Sequence, residues 1–309
     1  MGTLASVIAP VFLVVGAGYL ARWRGWMGDG DIDGLMTFAQ GIAIPLLLFR
    51  AIATLELGRD FSLPLLAAFY CGALAGFLAG LAGARALFRR SWEDSIAIGF
   101  VGLFSNSLLL GLPITERAYG ADALTANYAI IALHAPFCYA VGITAMEIAR
   151  AGGTSARALP GKVLRAIFSN ALVLGIAAGF VVNVAGIALP AVLTDAVDLL
   201  VRAGIPAALF GLGGVLHRYR PEGDMRVILF ICAVSLVLHP TITLGLGRAL
   251  GLSTDALRSA VVTGAMAPGV NAYLFANLYG VARRVAASAV LVGTALTVVT
   301  ATVWLSILP

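Results

Sequence analysis

The chain has 309 residues, of which 61% are hydrophobic and only 11% are charged, and its net charge is +5. Because a soluble domain has about 25% charged residues, this composition excludes a water-soluble globular fold. The apolar surplus requires lipid as its solvent, where only helices and closed barrels satisfy their backbone polar groups. The apolar stretches are about 20 residues long, the length of a spanning helix rather than of a spanning strand. The sequence therefore predicts an all-α integral membrane protein.

Hydropathy predicts ten membrane-spanning helices that are joined by short polar connections. To within a few residues, they cover 3–21, 34–54, 62–84, 95–116, 124–147, 164–184, 192–215, 227–247, 257–280 and 285–307. The first stretch has no basic segment before it and no small-residue cleavage site. We therefore expect it to be a retained span rather than a signal peptide.

The distribution of basic residues predicts the orientation of these spans. Connections after odd-numbered spans contain fourteen lysine and arginine residues, and connections after even-numbered spans contain four. Since basic connections stay in the cytoplasm, we expect both termini on the outer side of the membrane.

Short segments of the first half of the chain recur in the second half. The offset is 161, 161 and 163 residues for the pairs Ile44–Phe49 with Ile205–Phe210, Gly18–Leu20 with Gly179–Val181, and Ala84–Leu87 with Gly247–Leu250. We therefore predict two five-helix repeats, 1–149 and 164–309, joined by a cytoplasmic linker, 150–163. Because five is odd, the second repeat must be inverted, which is the plan of many secondary transporters. A gene duplication without transport activity is the alternative.

Spans 4 and 9 each place an asparagine, a glycine and a proline near the middle of an apolar helix. The candidate site residues there are Ser105, Asn106, Ser107, Gly111 and Pro113 in span 4, and Pro268, Gly269, Asn271 and Tyr273 in span 9. Proline removes a backbone hydrogen bond and clashes with the preceding turn, so we predict two broken helices that cross in the membrane. Their half-helix N-termini would face an anion, with Asn106 and Asn271 as neutral donors. Two ordinary proline kinks with packed glycines are the alternative.

The run Asn106-x4-Gly111-x-Pro113 resembles the Asn-x4-Gly-x-Pro motif of the auxin efflux carrier family. The Phe275–Tyr279 segment is similar to the Phe-Ala-x-x-Tyr of plant members, and span 5 resembles theirs more loosely through Tyr139 and Glu147. The resemblance covers the whole chain in span number, repeat plan and orientation. The short central connection departs from the long cytosolic loop of the plant carriers and is similar to that of bacterial carboxylate carriers. This departure puts auxin itself in doubt as the substrate.

The resemblance implies an elevator-type carrier of a small organic anion, such as malonate or an auxin-like acid, with a fold like those of NhaA and the bile-acid symporters. Spans 1, 2, 6 and 7 would form a scaffold and a homodimer interface, and spans 3–5 and 8–10 a moving transport domain. Asn106 would contact the substrate carboxylate, while His134 and Tyr139 would face the same cavity. The implied setting is the lipid bilayer of a bacterial inner membrane, with both termini periplasmic or extracellular.

Two histidines lie inside predicted spans, His134 beside Pro136 and His239 before Pro240. Ionisable groups in a membrane are functional candidates, so either histidine could relay protons or be a neutral ring bonded to a freed carbonyl. Asp198 and Arg202 are four residues apart and are predicted to pair on one helix face. Neither broken segment contains an acidic residue, which favours a facilitated route over coupling through a carboxylate.

Two other function classes remain open. One is a sodium- or proton-coupled symporter of the bile-acid type on the same fold, and the other is a membrane receptor or enzyme. The sequence has no His-Glu-x-x-His or Gly-x-Ser-x-Gly motif, and its one lysine, Lys162, lies in a connection. The three cysteines lie singly, without the spacing of a zinc site. We therefore expect no catalytic residue, no metal, no cofactor and no nucleic-acid partner.

Overall fold

The computed structural model describes residues 2–57, 61–150 and 159–309, with the side chains of residues 2–4 and 159 left out. Most of the predicted linker 150–163 lies outside the described residues, as do Arg59 and Arg157. In the described ranges every regular element is a helix, which confirms the all-α expectation.

Fifteen α-helices are described in these ranges, and we number them in chain order. They are α1 (Gly2–Trp23), α2 (Asp29–Phe38), α3 (Ile44–Ala53), α4 (Leu63–Ala86), α5 (Trp92–Leu103), α6 (Leu112–Tyr119), α7 (Leu124–Arg150), α8 (Leu159–Phe168), α9 (Ala171–Val184), α10 (Ala191–Arg218), α11 (Met225–Ala233), α12 (His239–Ala249), α13 (Thr254–Gly264), α14 (Val270–Tyr279) and α15 (Arg283–Ile307). Single π-helical turns at Ala39–Ala43, Ser107–Gly111 and Val234–Leu238 precede α3, α6 and α12.

Seven helical segments of the described residues are long and apolar enough to cross a membrane. They are Ala5–Trp23, Asp29–Ala53, Leu63–Ala86, Ala121–Arg150, Ala191–Arg218, Met225–Ala249 and Arg283–Ile307. These segments coincide with the predicted spans 1, 2, 3, 5, 7, 8 and 10. Predicted spans 4, 6 and 9 fall on shorter helices, so the total of ten and the inverted repeat stay predictions.

Predicted span 6 is shorter in the structure than in the hydropathy profile. The helix Pro160–Phe168 meets Ala171–Val184 at an angle of 83°. Asn170 causes the break, because its side-chain oxygen accepts a hydrogen bond from the Leu172 N–H at 3.0 Å and caps a new helix. Hydropathy misses this break because both segments are apolar.

The chain divides into two compact units. The first unit comprises Met1–Ala9, Phe61–Val163 and Tyr219–Pro309, and the second comprises Pro10–Asp60 and Leu164–Arg218. The second unit therefore contains most of predicted spans 1, 2, 6 and 7, and the first unit contains predicted spans 3–5 and 8–10.

In the second unit α9 packs directly on the backbone of α3. A Cβ atom at Gly179 would lie 2.7 Å from the Phe49 carbonyl oxygen, and one at Gly175 would lie closer still to the carbonyl oxygen of Pro45. Small residues four apart allow such close helix contact in membranes. Asn183, also on α9, donates to the carbonyls of Ile52 at 2.9 Å and Leu55 at 2.7 Å, which satisfies the end of α3.

The predicted pairing of Asp198 with Arg202 is wrong. Asp198 Oδ1 lies 3.3 Å from Arg50 Nε, and no ion pair joins Asp198 to Arg202 in the described ranges. Arg50 comes from α3 of the same unit and carries the nearer guanidinium. The side chains of Arg50 and Asp198 are 34% and 40% exposed. Because water screens such a pair, it contributes about 0–1 kcal/mol to stability.

In the first unit α4 and α5 approach each other through glycines on both helices. A Cβ at Gly76 would lie 2.6 Å from the Gly102 carbonyl oxygen, and one at Gly99 would lie 2.7 Å from the Phe77 carbonyl oxygen. The contact leaves little room for sliding and holds the end of α5 in place. The residues that follow α5 form the candidate site.

Candidate functional site

Predicted span 4 is interrupted in the structure. Helix α5 ends at Leu103, and helical backbone resumes with the π turn Ser107–Gly111 and α6. Asn106 starts the second half, since its Oδ1 accepts a hydrogen bond from the Leu109 N–H at 3.3 Å. Pro113 lies in the first turn of α6, where the missing N–H of proline is tolerated best.

Predicted span 9 is interrupted in the same way. Helix α13 ends at Gly264, and α14 begins at Val270 after Pro268 and Gly269. Gly269 occupies the N-cap position with an extended backbone, at φ −73° and ψ 158°. It offers no side chain to cap the helix, and while the Ala272 N–H donates to the Gly269 carbonyl at 2.9 Å, the N–H groups of Val270 and Asn271 at the helix start have no intrahelical partner.

The two interruptions pair with each other as a short antiparallel bridge between Ser105 and Pro268. The Asn106 N–H donates to the Ala267 carbonyl at 2.7 Å, and the Gly269 N–H donates to the Phe104 carbonyl at 2.8 Å. We call residues 104–106 and 265–269 the crossover. The helices are therefore broken, as predicted, and not merely kinked.

Two buried polar side-chain atoms at the crossover have no hydrogen-bond partner among the described residues. They are Asn106 Nδ2 and Ser105 Oγ, on side chains that are 6% and 1% exposed. A buried polar group without a partner costs about 1–3 kcal/mol. Since most such groups are satisfied in native proteins, these two atoms make the crossover the candidate site.

Asn271 lies in the first turn of α14, two residues after the crossover. The Tyr139 hydroxyl, on α7, donates to Asn271 Oδ1 at 3.3 Å. The side-chain oxygens of Asn106 and Asn271 are thus both engaged, and each leaves its NH2 group as the free end of the amide. An NH2 group can only donate hydrogen bonds, so the two amides suit an acceptor ligand.

His134 lies on α7 and contacts the backbone of the crossover. Its Nε2 lies 3.2 Å from the Ser105 carbonyl oxygen, and its ring is 4.7 Å from the Phe104 ring. His239 lies on α12 against the other broken helix, since a Cβ at Gly264 would be 3.3 Å from its Nε2. Both histidines are buried.

The other predicted site residues pack within the helices around the crossover or against a neighbouring aromatic ring. Ser107, Gly111 and Pro113 are buried in the second half of span 4, where the Gly111 N–H donates to the Asn106 carbonyl at 3.1 Å. Tyr273 is half-buried, and its ring contacts that of Tyr219 at 5.0 Å. The structure thus brings most of the predicted residues together at the crossover, and it shows Tyr273 in a separate aromatic contact.

A buried polar group beside the crossover was not predicted from the sequence. Asn127 on α7 donates to Thr263 Oγ1 at 2.7 Å and to Thr115 Oγ1 at 3.3 Å. It therefore joins α7 to both broken helices. An asparagine in an apolar span was the available signal, but its threonine partners are unremarkable in sequence.

The chain matches the family model described as "Membrane transport protein" over residues 3–305, nearly its whole length. This chain is a member of that family, the auxin efflux carrier family. Members of the family are transporters and not enzymes. Auxin efflux carrier component 4 from Arabidopsis thaliana is 32% identical to the chain over 111 residues. That match covers 35% of the chain and 18% of the plant protein, so the chain spans less than a fifth of that relative's length.

Proposed function

We propose that the protein is a secondary transporter that moves a small organic anion across the membrane, and that the anion binds at the crossover. The observation that carries this proposal is the Asn106 amide. Its oxygen is held by the Leu109 N–H, while its NH2 group is buried without a partner among the described residues. A carboxylate oxygen is an acceptor that would satisfy this donor.

The surroundings of Asn106 favour an anion over a cation. Helical backbone begins at Ser107 and at Val270, so two positive helix ends lie at the crossover. Residues 104–113 and 265–273 contain no aspartate or glutamate, which leaves no negative group to attract a cation or repel a carboxylate. The absence of lysine and arginine from the same segments favours a weakly held, releasable anion.

The division of the chain supports an elevator mechanism. The crossover lies entirely in the first unit, so the proposed site would move with that unit as one body. We propose that the second unit, which contains most of predicted spans 1, 2, 6 and 7, is the stationary scaffold and forms a homodimer. The plant relative is by name an auxin efflux carrier, which supports transport of a small organic anion by this chain.

Binding of five acids to the purified protein tests the proposed site. Thermal shifts and calorimetry with acetate, pyruvate, malonate, succinate and indole-3-acetate should identify at least one ligand. Asn106→Ala should weaken its binding at least tenfold, because the free NH2 donor is lost. Asn277→Ala is the matched control, since Asn277 lies on α14 with an exposed side chain and should bind normally. Failure of all five acids to bind, or normal binding by Asn106→Ala, would contradict the proposal.

Counterflow of the radiolabelled ligand into proteoliposomes tests transport itself. We expect counterflow without a sodium gradient. A strict requirement for sodium would instead support a symporter of the bile-acid type on the same fold.

A further inference from the structure

An anion at the crossover would have no fixed positive side chain to balance its charge. The crossover and the helical turns after it contain no lysine or arginine. Charge without compensation is costly inside a membrane protein. The ionisable side chain that contacts the crossover backbone is that of His134, at 3.2 Å from the Ser105 carbonyl.

We propose that His134 takes up a proton when the anion binds at the crossover, so that the proton and the anion cross the membrane together. This inference rests on the proposed anion site beside Asn106. It adds a coupling ion to that site.

The contacts of His134 leave one ring nitrogen available for the proton. Nε2 faces the Ser105 carbonyl, and a carbonyl can only accept, so the neutral ring carries its hydrogen on Nε2. Nδ1 is then the basic nitrogen. Its neighbour is Cys138 Sγ at 3.8 Å, a thiol that offers only a weak hydrogen bond. Protonation at Nδ1 therefore keeps the existing bond to Ser105.

The aromatic rings around His134 are compatible with a positive charge. The ring centroids of Phe104 and Phe69 lie 4.7 and 5.6 Å from that of His134, at interplanar angles of 69° and 66°. Aromatic faces attract cations within about 6 Å. These contacts lower the cost of a transient imidazolium without fixing the charge permanently.

Three titratable side chains lie around His134. Cys138 is on the same helix, Tyr70 comes from α4 and donates its hydroxyl to the Ile130 carbonyl, and His239 comes from α12. No hydrogen bond or ion pair joins His134 to a charged side chain in the described ranges. The bound anion would therefore supply the counter-charge for a proton at His134.

The second buried histidine makes uptake of two protons unfavourable. Phe69 contacts both rings, with centroids 5.6 Å from His134 and 5.1 Å from His239. Two imidazolium rings that contact the same phenylalanine would repel each other in a medium of low dielectric constant. We therefore expect one proton per anion, which makes the transport of a monocarboxylate electroneutral.

Calorimetry in two buffers with different ionisation enthalpies measures the proton uptake directly. The ligand is the strongest binder among acetate, pyruvate, malonate, succinate and indole-3-acetate, at pH values where it is fully ionised. We expect about one proton taken up per anion, and binding that weakens about tenfold for each unit of rising pH. Binding of the anion without proton uptake overturns this inference and leaves the proposed function intact. Failure of all five acids to bind overturns both.

Three glutamine variants assign the proton to a residue. His134→Gln retains a side-chain donor for the Ser105 carbonyl but cannot titrate, so its binding should be independent of pH and without proton uptake. His217→Gln is the matched control, because His217 lies in the second unit, and it should behave as wild type. His239→Gln should also retain uptake, and loss of uptake in that variant overturns the assignment to His134 even if His134→Gln does not fold.

Discussion

Three groups of Asn106 differ in their contacts at the crossover. Its backbone N–H pairs with Ala267, its side-chain oxygen caps the helical turn at Leu109, and its NH2 group has no hydrogen-bond partner among the described residues. The first two contacts fix the position and the orientation of the amide. A donor that is held in place by its own helix is preorganised, which reduces the entropy lost on binding.

Tyr139 orients the side-chain amide of Asn271, and removing the Tyr139 hydroxyl should weaken anion binding. In Tyr139→Phe the Asn271 oxygen loses its donor at 3.3 Å, so the amide is free to rotate. The loss of about 0.5–1.5 kcal/mol for a typical hydrogen bond corresponds to roughly 2- to 13-fold weaker binding by calorimetry. Tyr128→Phe, on the same helix, is the control and should bind as wild type. An equal loss in both variants would indicate a general effect on α7.

At the residue scale the sequence predicted the residues at the helix breaks better than the side chains that contact them. Asn106 and Asn271 stand out because an amide beside glycine and proline is unusual in an apolar helix. Tyr139 was found only through its similarity to a family. Asn127 was missed because its role depends on Thr115 and Thr263, which come from two other helices and are brought to it only by folding.

Glycines and aromatic rings set the distances between the elements of the first unit. Phe100 of α5 and Phe275 of α14 stack with ring centroids 4.0 Å apart. Gly142 of α7 faces this pair, since a Cβ there would lie 3.0 Å from Phe275 and closer still to Phe100. The stack therefore connects the first half of one broken helix to the second half of the other.

Gly142→Ala should destabilise the protein by about 1–3 kcal/mol, because the added methyl overpacks a buried aromatic pair. Thermal unfolding of the purified protein measures the effect. Gly245→Ala is the matched control, because Gly245 is a helical glycine with no atom near its missing Cβ. Alanine is the better helix former, so the control should be neutral or slightly stabilising. A neutral Gly142→Ala would contradict the packing described here.

The whole molecule is a multi-pass membrane protein in which predicted spans 4 and 9 are broken. A broken helix can cross the membrane or return to the side from which it entered. The predicted inverted repeat requires that span 4 cross. The positive-inside distribution then puts the end of α4 in the cytoplasm and the start of α7 outside.

Cysteine labelling from the two sides of the membrane tests this topology. Leu87 and Asp122 are exposed and flank span 4. In a variant lacking the native cysteines, Asp122→Cys should react with an impermeant maleimide in intact cells, and Leu87→Cys only after permeabilisation. Labelling of both positions from one side would show that span 4 is re-entrant and would remove the inverted repeat. The native cysteines to be replaced are Cys71, Cys138 and Cys232.

The sequence by itself determined that the chain belongs in lipid, the places of seven spans and the breaks in spans 4 and 9. These properties are local, since they follow from the length of apolar runs and from proline, glycine and asparagine in them. Only the tertiary structure decided that Phe104–Asn106 pairs with Ala267–Gly269, that Asp198 meets Arg50, and that His134 contacts the Ser105 carbonyl. Each of these contacts joins residues far apart in the chain, so packing rather than local composition selects the partner.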